Sequence, residues 1–291
     1  MFKFEISTLF DDQLGTLTSR IFRFAKITSR NNELIEQSET IGPNLPEALG
    51  AMKGIVCFVG AGGKKSTMYA LAAAHSGKVL LSSTSHMYRY REDQTDEIVM
   101  LEDSSHPMPE FREARVVAVA TKTATKHRVG GLTADKIRRI YRDGKYDICL
   151  IKSDGARSRW IKTPGDHEPL IPTFADTVVP VVSGQVLGRK LNADIAHRPE
   201  RVARLLGMEM NSIVTDAHII DLLSNPKGAL KNTANARVIP LINMVDDESL
   251  RLRTREIARV VLQRSERISW VVLGSMRQSR VVEIIKRDAD G

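Results

Sequence analysis

Hydrophobic and polar positions change their pattern after residue 53. From there, short apolar runs that suit buried strands alternate with stretches whose apolar residues repeat at helical spacing. This alternation predicts βαβ units, which require a parallel sheet with right-handed crossovers. The predicted fold class is α/β, with a doubly wound, mostly parallel sheet. The predicted strands are residues 55–59, 78–81, 116–120, 148–151, 178–182, 238–242 and 270–273, and the predicted helices are residues 66–76, 134–143, 199–206 and 247–263.

The first 44 residues follow a different pattern. Leu17, Ile21 and Phe24 recur at helical spacing, and the pairs Gly42-Pro43 and Leu45-Pro46 then interrupt regular structure. We therefore predict an N-terminal appendage and linker over residues 1–44 and an α/β domain over residues 45–291.

Composition is that of an ordinary globular protein. The 291 residues are 42% hydrophobic and 27% charged, and no stretch approaches the roughly 20 apolar residues that span a bilayer. The N-terminus carries acids where a secretory signal would be apolar. We expect a cytoplasmic protein that does not act at a membrane. Cys57 and Cys149 lie inside predicted strands, so we expect inert core thiols.

The net charge of +8 raises the question of nucleic-acid binding. The densest basic stretch, however, is Arg251, Arg255 and Arg259, which share one face of a predicted helix whose other face is apolar. This pattern is typical of a solvated helix face, and a nucleotide or an acidic partner explains the excess charge equally well. Nucleic acid is therefore disfavoured as a partner.

A glycine-rich turn between the first predicted strand and its helix carries the clearest chemical signal. Glycines let backbone N–H groups converge, a helix N-terminus adds partial positive charge, and a lysine neutralises the outer phosphates. The turn therefore predicts a nucleotide phosphate site and a sheet of P-loop NTPase type. Its candidate contacts are Gly60, Ala61, Gly62, Gly63, Lys64, Lys65, Ser66 and Thr67.

The turn departs from the standard P-loop, G-x-x-x-x-G-K-[ST], at two positions. Phe58 stands at the first glycine, and Lys65 stands where Ser or Thr ligates magnesium. Either Lys64 or Lys65 could be the phosphate lysine, and the glycine at position 63 favours Lys64. In that register Ser66 or Thr67 must ligate the metal, or metal-dependent chemistry is weakened.

A dinucleotide fingerprint, G-x-G-x-x-G, is the competing interpretation. It would need glycine at Lys65 and an acid for the ribose at the end of the second strand, where Ser82 and Ser83 stand. NAD is therefore disfavoured, whereas these hydroxyls and Arg89 leave an NADP-linked oxidoreductase as a distant alternative.

A second group of candidates follows the strand at residues 148–151. Ligands collect at the carboxyl ends of strands in an open parallel sheet, so Asp154 should face the same crevice as the turn. There it could hold magnesium or orient an attacking water, and Gly155 would let the backbone approach the terminal phosphate. Lys64 and Asp154 are the candidate catalytic residues, and Ser66 and Asp154 are the candidate metal ligands.

Four segments together resemble the YqeC family: residues 60–64 (GAGGK), 154–157 (DGAR), 162–172 (KTPGDHEPLIP) and 196–200 (AHRPE). The resemblance extends over residues 45–280. It implies a P-loop-like, nucleotide-dependent accessory protein in the maturation of selenium-dependent molybdenum hydroxylases. The partners it implies are such a hydroxylase or its maturation factors.

The chain departs from the family pattern at two places. Members usually carry Gly-Lys-Thr at the loop and Glu-Ala-Asp-Gly at the later strand end, whereas this chain has Lys65 after Lys64 and has Lys152-Ser153 before Asp154. Both changes introduce lysine, which argues against magnesium coordination and hydrolysis. Two extra cations could instead hold a triphosphate without a metal.

The family segments supply further ligand candidates, namely Asp166, His167, Glu168, His197 and Arg198. They could bind a metal, a cofactor or the product of the pathway. The alternative is a rigid, proline-bracketed surface loop held by local hydrogen bonds. Arg157 and Arg198 also suit phosphate or another acidic ligand, because a guanidinium offers two parallel donors.

Asn243 and Asp246 follow the strand at residues 238–242, as the guanine-reading Asn-Lys-x-Asp motif follows its strand in GTPases. Met244 replaces the lysine. The two residues could read a base edge, or Asp246 could cap the helix beside it. The base preference between ATP and GTP stays open.

The leading hypothesis is a P-loop accessory protein that binds ATP or GTP, with Mg²⁺ and NTP hydrolysis as further expectations. The alternative is a non-hydrolysing module that holds a nucleotide or the phosphorylated pterin cofactor while it docks a hydroxylase. Lys65 and Lys152 favour this alternative.

Overall fold

The computed structural model describes residues 44–107 and 113–287. The predicted appendage lies outside these residues except for Asn44, so it stays a prediction. No helix of the described residues combines the length and the apolarity that are needed to cross a bilayer.

The helices are α1 (Leu45–Ala48), α2 (Lys64–Ala74), α3 (Ala134–Asp143), α4 (Pro199–Leu206), α5 (Asp216–Ser224) and α6 (Glu248–Arg264). The strands are β1 (Gly54–Gly60), β2 (Val79–Ser83), β3 (Met87–Tyr88), β4 (Glu97–Leu101), β5 (Val116–Thr121), β6 (Arg128–Val129), β7 (Ile148–Lys152), β8 (Ile161–Lys162), β9 (Thr177–Ser183), β10 (Ala196–His197), β11 (Arg237–Val238), β12 (Leu241–Asn243), β13 (Trp270–Ser275) and β14 (Arg280–Lys286).

One large sheet organises the described residues. Its strand order is β14-β13-β12-β9-β1-β7-β2-β5-β4, and β11 pairs with β9 beside this path. All pairings in it are parallel except that of β13 with β14. The predicted α/β class with a mostly parallel, doubly wound sheet of P-loop-like type is confirmed.

Helices cover both faces of this sheet. Helices α1 and α2 pack on one face, where Val56, Phe58 and their neighbours point. On the other face, α3 covers the half that contains Cys57 and Cys149, and α4, α5 and α6 cover the half that contains β12 and β13. Both cysteines are buried, and burial raises the pKa of the Cys57 thiol to about 12, as befits an inert core thiol.

The predicted boundaries are wrong in two instructive places. Helix α2 begins at Lys64 rather than at residue 66, because Gly63 already has the left-handed N-cap conformation. The predicted strand at residues 238–242 is two short strands, β11 and β12, because Pro240 has no N–H to donate to a ladder.

Three larger elements are absent from the sequence prediction. They are β4, helix α5 and the antiparallel edge strand β14. Strand β4 is mostly half-buried, and Glu283 interrupts the apolar run of β14. Helix α5 has few polar residues at helical spacing, so its sequence pattern is weak. Its start is marked instead by a capping box, which Thr215 and His218 form together.

The topology gathers several strand ends around the centre of the sheet. Strand β1 lies between β7 and β9. The connection after β1 leads past β7 to β2, whereas the connection after β7 crosses β1 to reach β9 on the other side. In such sheets, ligands bind outside the carboxyl ends of the strands at this switch point. The segments brought together there are the glycine-rich turn after β1, Ser153–Asp154 after β7 and the residues that end β9 and β12.

Candidate phosphate site at the carboxyl edge of the sheet

The glycine-rich turn is short and tightly enclosed. Strand β1 ends at Gly60 and α2 begins at Lys64, so three residues link them. The φ angles of Gly60, Gly62 and Gly63 are +85°, +93° and +116°. A Cβ atom on Gly63 would lie 2.4 Å from Asn243 Nδ2. The turn therefore requires glycine for both backbone conformation and space.

Three N–H groups of the turn already have partners in the protein. Gly60 donates to Asp154 Oδ2 at 2.9 Å. Ala61 donates to the carbonyl of Val181 at 2.8 Å, and Gly62 donates to the carbonyl of Arg159 at 2.9 Å. These bonds fix the turn on β9 and on the segment after β7.

The first turn of α2 supplies the N–H groups that an anion could use. The N–H groups at the start of a helix have no carbonyl within the helix to bind. Here they belong to Lys64, Lys65 and Ser66, and the partial positive charge of the helix adds to them. The turn thus offers a smaller cradle than a standard P-loop, made mainly of helix N–H groups.

Beneath the turn lies a group of five charged residues that we call the lysine–carboxylate cluster: Lys64, Lys152, Lys162, Asp154 and Glu168. Asp154 is its centre. Its Oδ1 lies 2.8 Å from Lys64 Nζ, and its Oδ2 lies 3.0 Å from Lys162 Nζ. Lys162 also donates to Glu168 Oε2 at 2.7 Å and to the carbonyl of Gly155 at 2.7 Å.

Burial makes this cluster sensitive to charge. The side chains of Lys64, Asp154 and Lys162 are 4%, 1% and 0% exposed. Burial lowers the pKa of Lys64, although Asp154 opposes that effect. Burial would raise the pKa of Asp154, but the charges of Lys64 and Lys162 outweigh burial and hold that pKa below its usual value. Asp154 is therefore an ionised carboxylate, and each of its oxygens lies within ion-pair distance of a lysine ammonium group.

Lys152 is the member of the cluster that has no carboxylate partner in contact. Its Nζ lies 3.1 Å from the hydroxyl of Ser85, two residues after β2. Burial, together with the charge of Lys64, lowers the pKa of Lys152 to about 7. Three ammonium groups therefore face two carboxylates, and the excess positive charge is carried by a lysine that an anion would help to keep protonated.

The residues after Lys64 point in other directions. Lys65 Nζ donates to the carbonyl of Arg89 at 2.7 Å and lies 5.5 Å from the ring centre of Tyr69. Thr67 is completely buried, and its hydroxyl donates to the carbonyl of Gly63 at 3.1 Å. Ser66 is exposed at the start of the helix. Among the two predicted hydroxyl ligands, Ser66 alone is accessible.

Magnesium fits this arrangement poorly. Asp154 was the predicted carboxylate ligand, yet both of its oxygens contact lysine ammonium groups and one also accepts the N–H of Gly60. Mg²⁺ needs carboxylate oxygens whose charge is not already neutralised. Within residues 44–107 and 113–287, no three His, Cys, Asp or Glu residues form a group that could hold a metal ion.

The segment around Glu168 divides between the cluster and the surface. Glu168 belongs to the cluster, and Arg198 Nη1 lies 3.8 Å from its Oε2. Asp166 instead forms a two-pronged ion pair with Arg201, at 3.0 and 2.8 Å. His167 is exposed. The Asp-His-Glu sequence is thus partly a structural connection, and only Glu168 reaches the candidate site.

His197 and Arg198 lie beside this segment. His197 is buried, and burial lowers its pKa to about 4, with Lys162 and Arg198 adding to the effect. It is therefore a neutral imidazole near neutral pH. Arg198 is exposed and has the left-handed backbone conformation, with φ +56°; Arg157 shares both properties, with φ +46°. Strained conformations of this kind are frequent at binding sites.

Gly155 stands between Asp154 and Arg157 without crowding. The nearest atom to a Cβ built on it is Glu168 Oε1, at 4.0 Å. Packing therefore does not demand glycine here, and the space above this residue is open to a ligand.

Asn243 supports the turn from the side of β12. Its Nδ2 donates to the carbonyl of Gly62 at 2.7 Å, and its Oδ1 accepts from the N–H of Met276 at 2.9 Å. The amide is engaged with the protein at both ends. Asp246 accepts from Gln185 and from Ser275, at 2.9 and 2.6 Å.

The alternative role of Asp246 as a helix cap is wrong. Helix α6 begins at Glu248, and the side chain of Asp247 accepts the N–H of Leu250 at 2.8 Å. The cap is therefore one residue later than the sequence pattern suggested.

Lys162 is the residue of the site that sequence reasoning missed. It begins the family segment at residues 162–172, but a lone lysine before Thr-Pro gives no sign of burial. Its role follows only from the fold, in which β8 pairs with β10 and Lys162 Nζ lies 3.0 Å from Asp154 Oδ2.

Two comparisons with known proteins point to one family. A family model described as YqeC protein matches residues 56–200, which include the turn, Asp154 and Glu168. A protein of Escherichia coli (strain K12), named "Uncharacterized protein YqeC", is 27% identical over 240 residues, which is 77% of this chain and 89% of the relative. The matched region thus contains all five residues of the lysine–carboxylate cluster.

Proposed function

Because the chain belongs to the YqeC family, we propose that it binds a nucleotide by its phosphates at the glycine-rich turn and acts as an accessory protein in maturation of a selenium-dependent molybdenum hydroxylase. The phosphate part of this proposal rests on the site. The pathway rests on the family resemblance. The two parts are tested separately below.

The observation that carries the phosphate part is the buried lysine–carboxylate cluster under an open helix N-terminus. A phosphate at the start of α2 would accept from the N–H groups of Lys64, Lys65 and Ser66. The unpaired charge of Lys152 would lie on the same side of the sheet. Arg157 and Arg198, both exposed, would close the site from outside.

Binding without hydrolysis is the form of this function that the geometry favours. A general base needs a free lone pair and a pKa near the operating pH. Asp154 suits this role poorly, because each of its oxygens already contacts a lysine ammonium group and the charges of Lys64 and Lys162 lower its pKa. Lysine charges take the place of magnesium in this proposal, so ATP or GTP binds in the absence of a divalent metal.

Calorimetric titration of the full-length protein with ATP, GTP and tripolyphosphate, each with EDTA and with Mg²⁺, tests the phosphate part. Lys64→Met removes one positive charge of the site, while Asp154 keeps its ion pair with Lys162. This variant should bind these ligands at least about ten-fold more weakly than the parent. Lys78→Met is the matched control, since Lys78 is half-buried at the opposite edge of the sheet and contacts Gly144. It should bind like the parent.

A thermal melt shows whether Lys64→Met still folds. Arg157→Gln is the second variant, because Arg157 is exposed and its loss leaves the core intact. If the parent protein binds none of the three ligands, or if both variants bind them as tightly as the parent does, the proposed phosphate site is wrong. Phosphate release from ATP by the parent that disappears in Asp154→Asn would refute binding without hydrolysis.

The pathway part needs a cellular test. A host that makes a selenium-dependent molybdenum hydroxylase and lacks its own YqeC protein should regain hydroxylase activity with the parent chain but not with Lys64→Met. Full hydroxylase activity without any YqeC protein would refute the accessory role.

A further inference from the structure

A groove opens beside the lysine–carboxylate cluster, at the same edge of the sheet. Thr84 at the end of β2, Leu132 and Thr133 at the start of α3, and residues 170–172 line it. Its volume is about 450 Å³, which lies within the usual range for small-molecule sites.

The groove and the cluster share a stretch of backbone. The N–H of Leu170 donates to the carbonyl of Ser153 at 3.0 Å, and the N–H of Thr84 donates to the carbonyl of Lys152 at 3.2 Å. The hydroxyl of Thr84 donates to the carbonyl of Leu170 at 2.7 Å. Asp154 follows Ser153 directly, so one wall of the groove is attached to the centre of the cluster.

The lining of the groove differs in chemistry from the cluster. No residue that lines it carries a charge; its apolar members include Leu132, Leu170, Ile171 and Pro172, and Thr84 and Thr133 add hydroxyls. A lining of this kind suits an uncharged ring with a few polar edge atoms rather than a phosphate. Leu170 is 50% exposed, which leaves an apolar face for such a ring to cover.

We propose that this groove holds the nucleoside, base and sugar together, of a nucleotide whose phosphates lie at the glycine-rich turn. The inference rests on the proposed function. Residues 168–172 then serve two parts of one ligand. Glu168 positions Lys162 at the phosphate end, and Leu170 and Ile171 contact the ring of the nucleoside. Affinity for a nucleotide then exceeds affinity for the bare phosphate chain.

The test compares ligands with and without a nucleoside on matched leucine variants of the full-length protein. Leu170→Ser removes part of the apolar wall, and Leu252→Ser is the control, because Leu252 is 48% exposed on α6 and lies outside the groove. Titration with ATP, GTP and tripolyphosphate should show that Leu170→Ser weakens binding of at least one nucleotide about five-fold and leaves tripolyphosphate unchanged. Leu252→Ser should change neither.

A variant that fills the groove gives an independent check. Leu170→Trp should weaken nucleotide binding by about ten-fold or more through steric exclusion and should leave tripolyphosphate binding intact. If the parent binds nucleotide and tripolyphosphate equally well, or if both Leu170 variants match the Leu252 control, the groove is not the nucleoside site, while the phosphate site stands. If the parent binds neither ligand, the proposed function fails and this inference fails with it.

Discussion

Gly63→Ala tests whether the turn depends on glycine for the reasons that its geometry gives. Gly63 has φ +116°, a conformation that costs an L-residue about 1–2 kcal/mol. The added Cβ would also lie 2.4 Å from Asn243 Nδ2. Displacing that amide breaks its buried hydrogen bond to the carbonyl of Gly62, which costs a further ~1–3 kcal/mol. We expect a total loss of about 2–5 kcal/mol in the free energy of unfolding.

Gly207→Ala is the matched control. Gly207 also has a positive φ angle, +61°, but nothing lies within 4 Å of a Cβ placed there. Gly207→Ala should lower the free energy of unfolding only by the cost of the left-handed backbone conformation, about 1 kcal/mol. Urea unfolding followed by circular dichroism measures both variants against the parent.

The decisive quantity is the difference in the free energy of unfolding between these two variants. Gly63→Ala must be less stable than Gly207→Ala by at least about 1 kcal/mol, because only the former disturbs Asn243. Equal stabilities would mean that the close contact relaxes freely and that the turn does not need glycine at position 63. Weaker tripolyphosphate binding by Gly63→Ala alone would connect the same contact to the phosphate site.

Three further predictions concern the lysine–carboxylate cluster. Lys162→Met should lower the free energy of unfolding by about 3 kcal/mol in a urea titration, because it leaves buried carboxylates without one of their partners. The double variant Lys162→Met/Glu168→Gln should regain part of that loss. A Lys162→Met variant as stable as the parent would show that these ion pairs do not stabilise the fold. The pKa of Lys152 is about 7 in the folded protein and near its ordinary value of 10.5 when unfolded, so the unfolded state binds more protons between these values. Its contribution to stability must therefore rise with pH across that window, and urea midpoints at pH 6.5 and 9.5 should rise more in the parent than in Lys152→Met; equal slopes would show that Lys152 titrates normally. EDTA should change the affinity for ATP less than about two-fold in calorimetry, since the cations are lysines; a strict need for Mg²⁺ would show that a carboxylate is free after all.

Sequence patterns predicted the centre of the fold well because buried parallel strands are continuous apolar runs. The strands around Cys57, Cys149 and Val179 lie where those runs occur, and α3 and α4 have the predicted bounds. The strands at the edges of the sheet are harder to predict from the sequence. Strand β4 is mostly half-buried, and in β14 the charged residue Glu283 interrupts the apolar pattern that marks a strand.

The site shows the same division between local and long-range information. The turn and Asp154 could be placed at one edge of the sheet because that follows from parallel topology. The pairing of Asp154 with Lys162 could not, since it depends on how β8 packs under the end of β7. Likewise, spacing alone suggested that Asn243 reads a base, whereas its amide bonds to Gly62 and Met276 depend on the contact between distant strands.

That amide also makes the turn mechanically dependent on the far side of the sheet. Met276 follows β13 and leads into the edge strand β14, whereas Gly62 belongs to the turn. The side chain of Asn243 therefore links the two segments. If the β13–β14 hairpin shifts, Asn243 must either move with Met276 or lose its hydrogen bond to Gly62. The edge of the sheet is thus one support of the turn, and loosening that edge weakens the bond between Asn243 and Gly62 even though no residue of the turn itself has changed.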